Sequence, residues 1–430
     1  QSYALDPVQN RSLVKLPMSS SSPQVLVIGG GLTGLAAAST LIRNGQEVLL
    51  LEASDDVGGR VRTDLVEGFQ LDRGFQVLLT AYPELERHLD LDALNLQHFE
   101  PGAVVFRNGN PDRLADPFRR PTAVPAAVLS SSLTVRDKLL LLRLRHQLAR
   151  MTATSHVHEA DTSLEVNLYK MGFSRRAINR FFNPLLSGIQ LTVGLEGSSR
   201  LGFLVLRTLF ADSAAVPAAG MGQLPHQIAA ALPAGSIRTS CAVERLEGRT
   251  IWTKTGDVYR PGQIVVATDG PTAASLLEVP GPRSRPQSCT YFAAPKAPTD
   301  SRAILLDGDL DGPARNVAVI TNVAPNYSPD HRSLIATVMP GRYEPNCAGL
   351  VLPQMRRWFG DEVDEWEHLR TYTIAHGQPS FEVGTPMRRR IRFGPDLFVC
   401  GDHRDTPSIQ GALVSGRRTA EALLNQVPDA

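Results

Sequence analysis

The chain lacks most of the features that would place a protein outside the cell or in a membrane. Its 430 residues contain four cysteines, Cys241, Cys289, Cys347 and Cys400. They are far apart and form no C-x-x-C pair, which argues against a disulfide framework or a cysteine zinc site and points to a reducing compartment, cytoplasmic or plastid-like. No apolar run approaches the roughly twenty residues of a spanning helix. An excess of one charge is also missing: 44 Lys and Arg stand against 43 Asp and Glu, for a formal net charge of +1. That balance creates no field to gather nucleic acid, and no basic-aromatic stripe suits bases, so no nucleic-acid partner is expected. Internal repeats are absent too. What remains, 42% hydrophobic and 20% charged residues, is ordinary globular composition. The length exceeds one core, so two intertwined domains are expected. Residues 1–22 are polar and irregular, either ahead of a native start at Met18 or the trimmed end of a targeting peptide.

Against this background the run Val25-Leu-Val-Ile-Gly29-Gly-Gly31-Leu32-Thr33-Gly34 stands out. Four apolar residues read as a buried parallel strand, and residues 35–43 have helical composition ending at the C-cap signal Asn44-Gly45. Gly29, Gly31 and Gly34 fit the G-x-G-x-x-G spacing. Bare backbone at a helix start lets a pyrophosphate approach free N–H groups and the positive end of the helix dipole. A second strand, residues 47–51, ends in Glu52, eighteen positions after Gly34, where an acid can accept hydrogen bonds from ribose hydroxyls. Next comes Ala53-Ser-Asp-Asp-Val-Gly58-Gly59-Arg60-Val-Arg62-Thr63. A nicotinamide site needs nothing there. A flavin dinucleotide, held in extended form, is served by a second glycine turn whose arginines close over the pyrophosphate.

The run from Glu52 to Thr63 resembles the E-x-x-x-x-x-G-G-R-x-x-T signature of the flavin amine oxidase and phytoene desaturase superfamily. Gly220-Met-Gly222-Gln-Leu-Pro225, Ile264-Val-Val-Ala267-Thr268, Cys400-Gly401-Asp402 and Ile409-Gln410-Gly411-Ala412 are similar to later segments of the same superfamily. The resemblance implies an α/β fold: a discontinuous Rossmann-like FAD-binding domain of the amine oxidase and glutathione reductase type, with an inserted α+β substrate domain. The expected division is 23–100, 218–285 and 388–430 for FAD, and 101–217 and 286–387 for substrate. It further implies that Val243 offers its backbone to the adenine edge, and that Asp402 bonds the ribityl or pyrophosphate side of FAD. A helix starting near 408–411 then points at the N1/O2 edge of the ring. Asp72, Gly74, Phe75 and Gln76 would run beside the isoalloxazine, although the same stretch also fits a plain strand with an Asp72–Arg73 ion pair.

The departures bear on substrate. Many amine oxidases place a lysine near flavin N5, but the matching strand here reads Gln287-Ser-Cys-Thr-Tyr-Phe-Ala-Ala, with Lys296 too late. Residues 402–408 also lack the aromatic common in amine oxidases. Both absences favour the desaturase-like side and a largely apolar organic substrate, oxidised at a C–N or C–C bond with oxygen or a quinone as acceptor. A polyene isomerase and a binding module with structural FAD stay open as alternatives. His403 and Arg404 are candidate acid, base or anion anchor, with surface solvation as the other reading. Phe181 and Phe182 line a pocket or fill a core. His156-Val-His158 with Glu159 and Asp161 has the look of a metal cluster, but alternating histidines in a polar stretch also read as a loop and no second cluster supports metal, so no metal is expected. Residues 133–150 form a cationic amphipathic helix, packed on the substrate domain or resting on an anionic bilayer as a peripheral contact.

Overall fold

The computed structural model describes residues 23–116, 118–120, 129–151 and 160–425; residues 1–22, and His156, His158 and Glu159 of the histidine cluster, lie outside them, while Asp161 of that cluster accepts from the Ser198 and Ser199 hydroxyls at 2.7 and 3.1 Å. Its centre is a five-stranded parallel sheet in the order Ile237–Arg238, Val48–Leu51, Val25–Ile28, Gln263–Val266 and Leu397–Val399. Burial on both faces explains the unbroken apolar runs of the central strands. Val25 and Val27 join the core beneath the helices Leu32–Arg43 and Ile409–Asn425. Leu26 and Ile28 face the other way, onto Cys241, Ile251 and Tyr259. The two helices approach closely, since a Cβ at Gly416 would lie 2.3 Å from the Thr33 carbonyl. The opening helix begins at Leu32, three residues before its apolar composition suggests, because Gly31 serves as its N-cap.

A seven-stranded sheet carries the rest, in the order Glu367–Pro379, Ser284–Ala294, Ser333–Pro340, Asn316–Val319, Ile304–Asp307, Gly102–Arg107 and Asn110–Ala115. It is antiparallel except where Ile304–Asp307 runs parallel to Gly102–Arg107. Alternation along Gly102–Arg107 sorts its side chains: Ala103 and Val105 meet a helical core, while Val104 and Phe106 meet the helix Ala348–Phe359. Phe106 stacks on Trp358 there, ring centroids 4.4 Å apart. Phe181 and Phe182 belong to the helical core, edge to face at 5.1 Å, so core packing is their role. The strand Ala214–Pro217 pairs with Leu78–Leu79 and Leu96–His98, which ties the two sheets' surroundings together.

The cationic helix runs Val135–Arg150 and opens with a capping box in which Thr134 and Asp137 exchange hydrogen bonds. Leu144 and Leu148 are buried, whereas Val135, Leu139 and Leu142 are 75%, 63% and 41% exposed. No helix among the described residues is long and apolar enough to cross a membrane.

Candidate functional site

In the parallel register Ile28 stands beside Leu51 and Val266, and Val266 beside Val399. The residues that follow, Gly29, Glu52, Ala267 and the Cys400-Gly401 pair, therefore emerge level with one another at the carboxyl edge of the sheet. That edge is where open α/β sheets bind ligands. A cavity of about 1140 Å³ opens there and continues between the two sheets. This exceeds the roughly 300–1,000 Å³ of a single small-molecule site.

The glycine loop is built by close approach. A Cβ at Gly34 would lie 1.9 Å from the Gly29 carbonyl oxygen, so only glycine lets the helix settle on the strand. Gly31 is different: a Cβ there meets nothing nearer than the Gly58 carbonyl at 4.0 Å and projects into open space. The second glycine turn lies on the first. The Gly58 amide donates to the Gly30 carbonyl at 2.8 Å, and Gly59, at φ +59°, backs onto the Gly31 Cα. Glu52 accepts from the Gly30 amide at 2.6 Å and from the Ser54 amide and hydroxyl at 2.9 and 2.6 Å. Gly30, the middle glycine of the run, thus supports the site too, since a Cβ there would press on Glu52 at 3.0 Å. Arg60 pairs with Asp402 at 2.8 Å and donates to the Gly377 carbonyl at 2.9 Å. Two helix N-termini, at Leu32 and Ile409, meet this part of the cavity, and both favour an anion.

The residues present fit a flavin dinucleotide: a side-chain-free cradle at Gly31, an arginine beside it, a carboxylate at the end of the second strand and a helix start at the far end. A model of the flavin-containing amine oxidoreductases matches residues 32–424. The chain belongs to that family. Its cofactor is FAD, and the flavoprotein has the mixed α/β fold of FAD-dependent amine oxidases.

Among curated relatives, the flavoprotein is 29% identical over 173 residues to protoporphyrinogen oxidase 2 of Arabidopsis thaliana, 39% of this chain and 32% of that one. It is 49% identical over 57 residues to polyamine oxidase 2 of the same plant, 13% and 12% of the two chains. It is 32% identical over 101 residues to a phytoene desaturase of Cercospora nicotianae, 22% and 16%. These matches span less than a third of each relative. Over whole folds, a putative protoporphyrinogen oxidase from Exiguobacterium sp. 255-15 superposes with a TM-score of 0.72 at 17% identity, covering 95% of this chain and 100% of that one. A putrescine oxidase bound to putrescine gives 0.68 at 17%, covering 94% and 99%.

Of the residues selected from sequence, Gly29, Gly31, Leu32, Thr33, Glu52, Ala53, Gly59 and Arg60 line the cavity of the flavoprotein. So do Phe75, Gln76, Val243, Ala267, Thr268, Gly401, Asp402, Ile409, Gln410 and Ala412. Others do not, and each has a physical reason. Gly34 and Gly411 are packing positions, the latter's Cβ falling 1.9 Å from the Thr406 carbonyl. Arg62 is buried against Asp55, 2.9 Å away. Gly74 backs onto Ile374 and Gln287 of the seven-stranded sheet. Arg73 pairs with Asp64 at 2.9 Å rather than with Asp72. Asp72 itself accepts from Thr63 Oγ1, the Met221 amide and the Tyr327 hydroxyl at 2.6, 2.9 and 3.0 Å.

His403 and Arg404 also face away. His403 is buried behind Gly401, neither ring nitrogen has a partner among the described residues, and burial pushes its pKa down to about 4. A neutral ring held outside the cavity supplies no acid at neutral pH. The Arg404 guanidinium lies 4.6 Å from the centre of the Phe393 ring. Lys296 is 75% exposed and 3.5 Å from Glu362, and no lysine lines the cavity among the described residues. Sequence reasoning missed the helix Ser199–Ala211, which forms much of the cavity's second half. Its composition is that of any amphipathic helix, so no local signal marked it.

Proposed function

We propose that the protein is an FAD-dependent oxidoreductase that oxidises a C–N or C–C bond of a largely apolar organic substrate. The observation that carries this reading is one continuous cavity, dinucleotide-fitting at the sheet edge and apolar beyond it. FAD, when bound, supplies the two-electron acceptor. The protein's part is to bind, orient and exclude water. Ile189, Leu191, Leu204 and Val338 make an apolar wall, and the amides of Gln287, Asn316 and Gln378 line the cavity with it. The positive end of the Ile409–Asn425 helix favours negative charge at the facing end of the cofactor. No histidine, lysine or carboxylate among the described residues lines the substrate half, which suits removal of a hydride without a strong side-chain base. The substrate loses a hydride and a proton, and oxygen or a quinone finally takes the two electrons. The proposed division assigns the five-stranded sheet to the FAD part and the seven-stranded sheet to the substrate part.

Anaerobic mixing of the yellow holoprotein with amines, polyenes and porphyrinogens tests the reaction. A true substrate is expected to bleach the flavin in step with product; product formed with no bleaching would establish isomerisation instead.

A peripheral membrane contact belongs to the same proposal. Val135, Leu139 and Leu142 form an exposed i, i+4, i+7 stripe, Arg136, Arg143 and Arg150 on the same helix are exposed, and Leu148 and Met151 at its far end line the cavity. Cations flanking an exposed apolar stripe complement an anionic bilayer, which would deliver an apolar substrate. Co-sedimentation with phosphatidylglycerol vesicles, weaker with phosphatidylcholine vesicles and lost in Leu139→Asp, is the expected result; equal recovery of parent and variant would remove the contact.

A further inference from the structure

The substrate half of the cavity has a charge pattern of its own. The helix Ser199–Ala211 turns one stripe toward it, in which Arg200, Leu204, Arg207 and Ala211 follow i, i+4, i+7 and i+11. Leu148, Ile189 and Val338 line the cavity as well. Every carboxylate lining the cavity among the described residues lies in the FAD half and is already engaged. Glu52 holds the Gly30 amide, Asp269 caps the helix Gly270–Leu277, Asp402 pairs with Arg60, and Asp405 lies 3.2 Å from Arg418. Arg388, which also lines the cavity, is 4.0 Å from Asp405. Arg207 is half-buried and has no ion pair or side-chain hydrogen bond with any described residue.

A half-buried guanidinium with no anion among the described residues beside it gives up part of its hydration without compensation. A ligand carboxylate matches its planar fork with two charge-assisted hydrogen bonds. A protonated amine in the same place meets like charge from Arg207, and no carboxylate among the described residues lining that half receives it. We infer that the substrate half takes an elongated apolar molecule bearing a carboxylate, with Arg207 as the residue that selects it. This inference rests on reading the cavity as the substrate site of an FAD oxidoreductase.

The test uses FAD-loaded protein with dodecanoate, dodecylamine and dodecanol as probes, each below its micelle concentration. Binding is read by calorimetry and by the perturbation of the flavin absorption band. Dodecanoate is expected to bind roughly tenfold or more tightly than either analogue, the scale of one charge-assisted pair. Arg207→Gln should remove that preference while leaving dodecanol binding and FAD content unchanged, and Arg207→Lys should restore part of it. Dodecylamine binding as tightly as dodecanoate would overturn the inference, as would an Arg207→Gln protein that keeps the preference. In both cases a full complement of FAD leaves the oxidoreductase reading standing. A protein that holds no FAD overturns that reading and this one with it.

Discussion

Gly34→Ala is expected to cost the protein both its FAD and about 2–4 kcal/mol of stability, because the new methyl group would lie 1.9 Å from the Gly29 carbonyl oxygen. Neither neighbour is a flexible side chain; relief requires the helix Leu32–Arg43 to lift from the strand Val25–Ile28. Gly31→Val separates folding from cofactor binding. Gly31 has φ −71° and ψ 176°, which any residue adopts, and its Cβ direction is open. Unfolding by urea should change by no more than about 1 kcal/mol, the scale of an N-cap substitution. FAD affinity should fall by roughly a hundredfold or more, since the side chain occupies the space into which a pyrophosphate must come. Flavin released on denaturation measures the second effect. A Gly31→Val protein as yellow as its parent would show that the pyrophosphate does not use this loop.

The second large effect is expected at Asp72. Its carboxylate receives Thr63, Met221 and Tyr327, and its carbonyl accepts from the Tyr291 hydroxyl at 2.9 Å. One side chain thereby joins the hairpin Thr63–Val66 and Phe69–Asp72, the turn at Gly220, and the segment beneath the seven-stranded sheet. Asp72→Ala leaves buried donors without an acceptor and should cost about 3–5 kcal/mol. Asp72→Asn keeps an acceptor for Thr63 and Met221 and should cost less.

The pH dependence has a definite sign. Burial pushes the Asp72 carboxyl up to about 6 from an ordinary 3.8, so the folded protein binds this proton more tightly than the unfolded chain does. The contribution is complete below about pH 4 and is lost as the pH rises through 6. The parent should therefore gain on Asp72→Asn, by about 2–3 kcal/mol, as the pH falls from about 7 to about 4. His403, held near 4 from an ordinary 6.5, acts the opposite way: its contribution is lost as the pH falls from about 6.5 to 4. The difference between the two proteins, which cancels His403, is the quantity to measure by urea unfolding. Parallel curves would mean that Asp72 is not the titrating group.

The parts legible in the sequence are the ones decided within a few residues. Val25–Ile28 is unbroken and apolar because it is covered on both faces, and Asn44-Gly45 ends the helix by a local φ requirement met at Gly45, φ +79°. The direction of individual side chains was less legible, for a different reason. Arg62 and His403 each lie next to a cavity-lining position and Asp72 lies three before Phe75, yet each turns to a partner or a pocket elsewhere. Proximity along the chain says which segment reaches the site, and not which way a side chain points.

By itself, the sequence determined a dinucleotide-binding α/β protein and its flavin, because the glycine loop, Glu52 and the Gly58-Gly59-Arg60 turn are local steric and charge statements. Only the tertiary structure decided that Arg60 meets Asp402, 2.8 Å away across most of the chain's length, and that Asp72 is a structural joint. It alone placed Arg207 on the cavity lining with no carboxylate beside it among the described residues. An arginine in an amphipathic helix reads as solvated until the packing of the neighbouring elements places it on a cavity, and the other lining residues come from separate elements, Leu148, Ile189 and Val338 among them.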